Sequence, residues 1–234
     1  SLSKSYFSVL PLALINGGYL FILHAREFKP YIIDLFFVCF AYYLAILACV
    51  SKNKSNSRLI FLFCVFLCLF ALSSLSSLFI IPSLLAFLYY KKFPRKKVLL
   101  IAFSSVITFL LNFYLYLSPQ SPEGTQDFWS SFYLDKNLSN LDFFVNTWIE
   151  FISQSSVFPW QLISLSFFIL LPLISLIRKD GIFLLFLGPF LVQCCLSYFR
   201  VYPLFQRPSY YLYGLAIISL SYSVSYFFQA LEYV

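Results

Sequence analysis

The residues from Lys52 to Lys97 decide the fold. They run Lys52-Asn53-Lys54-Ser55-Asn56-Ser57-Arg58, then the apolar stretch Leu59 to Tyr90 broken by Ser73-Ser74-Leu75-Ser76-Ser77, then Lys91-Lys92-Phe93-Pro94-Arg95-Lys96-Lys97. A helix needs about 20 mostly apolar residues to cross the hydrocarbon core of a bilayer. The apolar stretch is long for one crossing and short for two. Cytoplasmic loops carry an excess of Lys and Arg. Both flanks are basic, so both are assigned to the inner side, and the number of crossings between them is even. The serine-rich pentapeptide is then the turn of a short hairpin, at or just below the outer surface. One long tilted helix is the competing reading of the same residues.

Working outward, Tyr6 to Leu23, Tyr31 to Val50, Val98 to Leu117, Trp160 to Ile177, Ile182 to Tyr198 and Ser209 to Leu231 each supply a further apolar span. The expected fold is all-α: a polytopic transmembrane helix bundle of about eight spans. Residues 1–234 form a single transmembrane domain with both ends inside, and residues 118–159 form its long outer loop. Composition agrees, because a chain that is 61% hydrophobic, 22% aromatic and only 11% charged lies outside the balance of a soluble domain. The chain contains no Met and opens on Ser1, so it is expected to be a piece of a longer polypeptide.

Charge sorts by side. Lys4, Lys52, Lys54, Arg58, Lys91, Lys92, Arg95, Lys96, Lys97, Arg178 and Lys179 fall inside, eleven of the sixteen basic residues, while Arg26, Lys29, Lys136, Arg200 and Arg207 fall outside. Glu27, Glu123, Asp127, Asp135, Asp142 and Glu150 also fall outside, and Asp34 lies just within the outer end of its span. The net charge of +7 is therefore an orientation signal, and no nucleic-acid partner is expected. The expected location is multi-pass in a membrane, a bacterial inner membrane.

Several chemistries have no residues to support them. Cys39, Cys49, Cys64, Cys68, Cys194 and Cys195 all fall inside predicted spans, where thiols behave as small apolar groups. With a single His and no zinc-like spacing, no metal site is expected. No glycine-rich phosphate loop and no nucleophile elbow is present, and no cofactor is expected.

The polar chemistry gathers on the outer face. In the long loop, Leu141, Phe144, Val145, Trp148, Phe151 and Ile152 share one side at helical spacing, and Ser139 with Asp142 resembles a capping box. Such a helix suits the plane of the membrane interface; packing on the outer ends of the spans fits the same pattern. Phe128, Trp129, Phe132 and Tyr133 upstream read as an interfacial anchor. Two short segments set cations beside aromatics: His24-Ala25-Arg26-Glu27-Phe28-Lys29-Pro30-Tyr31, and Phe199 to Pro208 with Arg200, Tyr202 and Arg207. An outer Arg at a helix end grips an anionic group bidentately, or else snorkels to lipid headgroups. A lipid phosphate is the natural ligand for the first role. Arg207 and Arg26 are the leading candidates, followed by Lys29, Tyr31 and Tyr202.

The string Ile22 to Tyr31 resembles the short Ser-Gln-Glu-Ala-Arg-x-Tyr outer loop of integral-membrane glycosyltransferases of the GT-C type, which include the dolichyl-phosphate-mannose protein mannosyltransferases. Arg26 matches the motif Arg and Tyr31 the Tyr, although the interval between them is longer and Glu27 follows the Arg where the family Glu precedes it. The Leu59 to Tyr90 hairpin looks like the next hairpin of that family. Tyr202-Pro203-Leu204-Phe205-Gln206-Arg207 looks like its late Phe-x-x-Arg-Tyr element, with Arg207 the matching Arg. The resemblance implies transfer of a sugar from a polyprenyl-phosphate donor to a lipid, glycan or protein acceptor by inverting displacement. Outer Arg residues would neutralise the leaving phosphate. The family's catalytic carboxylate lies in the first outer loop, N-terminal to the residues present, so none of the acids here is assigned as base. An O-antigen polymerase or ligase, a polytopic transporter or flippase, and a non-catalytic membrane subunit share the same gross features. Gly188-Pro189 and Asn16-Gly17-Gly18 are the interruptions that a transporter would use.

Overall fold

The apolar stretch breaks in two at its serines. The computed structural model describes residues 31–50, 57–74, 76–112, 114, 145–146, 148–149, 159–199 and 210–231. In it Ser57–Ser73 and Ser77–Tyr90 are separate helices. The hydroxyls explain the break. Ser74 Oγ accepts from Ser76 N–H at 3.1 Å and pairs with Ser76 Oγ at 2.6 Å, while Ser77 Oγ donates to Ser74 O at 2.7 Å. Side chains thus take up groups that a continuing helical ladder would have paired. The hairpin, not one tilted helix, is what forms.

Among the described residues every regular element is helical. Seven helices follow one another: α1 Tyr31–Val50, α2 Ser57–Ser73, α3 Ser77–Tyr90, α4 Arg95–Asn112, α5 Trp160–Arg178, α6 Phe183–Tyr198 and α7 Tyr210–Leu231. One of them, α5, is long and apolar enough by itself to cross a membrane, and Asp34–Val50, Ser57–Ser73, Ser77–Tyr90, Phe183–Tyr198 and Gly214–Phe228 are shorter apolar helices. The first expected span, Tyr6 to Leu23, lies outside the described residues.

The helices pack so that α3 and α7 are central. Phe79, Ile80, Leu84, Phe87 and Leu88 of α3 are buried, as are Leu212, Leu215, Ala216 and Ile217 of α7. Small residues let backbones approach. A Cβ on Gly188 of α6 would come within 2.8 Å of Ser83 Oγ on α3, so glycine is required at that crossing. Buried hydroxyls return to their own helices: Ser83 to Phe79 O, Ser105 to Ile101 O, Ser219 to Leu215 O and Ser223 to Ser219 O. These four hydroxyls are thereby satisfied without a partner helix. The outward faces are apolar instead, with Phe61 71% exposed and Leu99 and Phe103 both 68% exposed.

Two prolines shape the helices locally. Pro189 sits inside α6 and has no N–H to give the carbonyl four residues back. That carbonyl, Leu185 O, accepts the Tyr42 hydroxyl from α1. In α5 the segment Ser166–Leu170 is a π-turn in which Leu171 N–H reaches Ser166 O, immediately ahead of Pro172. The wider turn carries Phe167 and Phe168 onto a shared aromatic cluster.

Candidate functional site

One end of the bundle carries the starts of α1, α3, α5 and α7 and the serine turn; the other carries the basic turns Lys91–Pro94 and Lys179–Ile182. At the serine end, Leu35, in the second turn of α1, packs against Gly214, early in α7, and a Cβ on Gly214 would overlap the Leu35 side chain. Asp34, the residue before Leu35, hydrogen-bonds the side chain of Ser74. Asp34 is thus held by the serine turn.

The sequence candidates divide plainly. Tyr31 is the first residue of α1. Arg26, Lys29, Tyr202 and Arg207 lie outside the described residues, so the structure does not bring the five together. What it does show is that the two helices entered by the Arg-aromatic segments, α1 and α7, pack side by side at their N-terminal ends.

The loop helix is described at Val145, Asn146, Trp148 and Ile149, all helical. Trp148 is buried at 3% exposure. Its ring stacks on Phe167 at 5.7 Å and meets Phe168 and Phe190 edge-on at 4.8 and 6.0 Å. Its Nε1–H donates to Ser164 Oγ at 2.8 Å. Of the two readings of this amphipathic segment, packing on the span ends accounts for Trp148. Comparison with protein-family models, with curated proteins and with solved structures returns no match.

A second polar cluster, at the basic end, escaped the sequence reading. Asp180 Oδ1 accepts from Ser175 Oγ at 2.6 Å and from Ile182 N–H at 3.0 Å, and Oδ2 accepts from the Tyr222 hydroxyl at 2.6 Å. Arg178 Nε lies 3.7 Å from Oδ2, and its guanidinium lies over the Tyr222 and Tyr226 rings. The cluster ties the α5–α6 turn to α7. Gly181, at φ 68°, follows, and a Cβ there would strike the Tyr90 ring, so the two basic turns are seated against each other. The signal available was Asp180-Gly181, a turn dipeptide, but nothing local named Tyr222 as the partner.

The Gly188-Pro189 interruption leaves α6 a continuous helix from Phe183 to Tyr198. The unwound half-helices that a transporter places around its substrate are not formed there.

Proposed function

We propose that the chain is an eight-span membrane glycosyltransferase of the GT-C type. It transfers a sugar from a polyprenyl-phosphate donor to a lipid, glycan or protein acceptor on the membrane face opposite the basic turns. Arg207 and Arg26 hold the donor phosphate, with Lys29, Tyr31 and Tyr202 beside them. The observation that carries the reading is the packing of Leu35 against Gly214. The two segments bearing the family-like residues are about 180 positions apart in the chain, and they run into helices that meet at one end. The apolar outward faces support the membrane setting, since a soluble monomer rarely exposes contiguous apolar surface on this scale.

In this mechanism the guanidinium groups oppose charge that grows on the phosphate as the glycosyl bond breaks. Such a contact strengthens toward the transition state and therefore acts on turnover. Replacing Arg207 and Arg26 together with Ala should lower transfer from a polyprenyl-phosphate sugar in membranes by on the order of 100-fold. Membranes in which the double variant transfers as fast as the parent would refute the assignment.

A further inference from the structure

The bend between α3 and α4 frames an open cleft of about 820 Å³ at the basic end, lined by Tyr89, Tyr90, Lys92, Phe93, Arg95 and Leu184 among others. That volume is typical of a small-molecule site. Its walls are held by the backbone: Lys91 N–H reaches Phe87 O at 2.9 Å, and Phe93 N–H reaches Leu88 O at 3.0 Å. Lys92 takes a left-handed conformation, φ 54°, and Phe93 plugs the base of the bend at 4% exposure.

The chemistry of the lining is cationic and aromatic. No carboxylate is among the described lining residues. Arg178 is held by Asp180, whereas among the described residues neither Lys92 nor Arg95 has a carboxylate partner. Arg95 also opens α4, an 18-residue helix, where the dipole adds positive potential. Tyr89 and Tyr90, 65% and 41% exposed, are amphipathic rings of the kind that sit at headgroup level.

The flank of α4 indicates what the ligand carries besides its anionic group. Arg95, Leu99, Phe103 and Leu110 share one side of the helix at i, i+4, i+8 and i+15, and Leu110 is 55% exposed. At about 1.5 Å per residue the stripe runs roughly 22 Å from the cation. A phosphate at one end of a long apolar track is the chemistry of a phospholipid.

We propose that this cleft binds an anionic phospholipid, with its phosphate between Lys92 and Arg95 and its acyl chains along Leu99, Phe103 and Leu110. The proposal rests on the membrane setting above and is independent of sugar transfer, so either can fail alone. The test titrates fluorescent phosphatidylglycerol into the purified chain in phosphatidylcholine nanodiscs. Saturable one-to-one binding is expected, weakened about tenfold or more in the Lys92→Gln/Arg95→Gln variant. Lys52→Gln/Lys54→Gln removes the same charge elsewhere and should leave binding unchanged. Arg95→Lys, which keeps the charge and the helix start, should retain most of it and guards against misfolding as the cause of loss. Equal weakening in both double variants would reduce the effect to general surface charge and overturn the site. Displacement of the lipid by millimolar inorganic phosphate alone would overturn the lipid assignment in favour of a soluble phosphate ligand.

Discussion

Pro189 shows how far a single residue's consequences reach. Its position inside a predicted span is visible in the sequence, and so is the loss of one helical donor to Leu185 O. The compensating donor is not visible, because Tyr42 stands 143 residues away and no local pattern marks it. Asp180 repeats the lesson: its bonds to Ser175 and Ile182 are local, but its bond to Tyr222 exists only once α7 packs against the end of α5. Removing the Tyr42 hydroxyl leaves Leu185 O buried without its donor. Tyr42→Phe should therefore lower stability by about 1–2 kcal/mol, the range for a helix-to-helix hydrogen bond in an apolar setting. Unfolding of the detergent-solubilised protein by titrated denaturing detergent measures this. A change below the error of the method would mean that Leu185 O finds another partner.

At the scale of elements, the helical class and most limits of the described helices were legible, since the expected and observed limits agree for Tyr31–Val50 and nearly agree for α5, α6 and α7. The hairpin was read from charge and serines, and its turn forms where those serines lie. The start of α4 was not: hydropathy placed it at Val98, whereas the helix begins at Arg95, with Pro94 O accepting from Lys97 and Val98 N–H. A window that counts apolar residues skips a basic first turn, although Pro at a helix start is itself a signal. The π-turn of α5 left no readable trace beyond Pro172. Element packing adds a prediction at the α3–α6 crossing. Gly188→Ala should destabilise by about 1–3 kcal/mol, because Ser83 Oγ and Cβ occupy the space of the new methyl. Adding Ser83→Gly should recover much of the loss, since the next atom, Ser83 Cα, lies 3.6 Å away in ordinary contact. A double variant no better than Gly188→Ala alone would show that α6 cannot use the vacated space.

For the whole molecule, charge and apolar surface agree on a setting while the candidate site is split. Large side chains such as Phe36, Phe61, Leu99, Phe103 and Leu173 face outward, and in water that exposure would forgo about 25 cal/mol for every Å² left uncovered. In lipid there is no such cost, and polar groups must instead be satisfied inside, as the hydroxyls of Ser83, Ser105, Ser219 and Ser223 are. The residues proposed for the donor site are marked in the sequence by type and by neighbourhood to a span. The meeting of the helix starts that follow those segments rests on the contact of Leu35 with Gly214, which periodicity within either helix does not encode. The proposed orientation, with the basic turns inside, is open to direct measurement. With the six native cysteines, Cys39, Cys49, Cys64, Cys68, Cys194 and Cys195, replaced by Ala, single cysteines are placed at Ser73 and Lys179, exposed positions at opposite ends. An impermeant maleimide should label Ser73→Cys in intact cells and Lys179→Cys only after permeabilisation. Labelling of both from the same side would break the alternation of the helices, and labelling in the reverse order would invert the face on which the donor site is proposed.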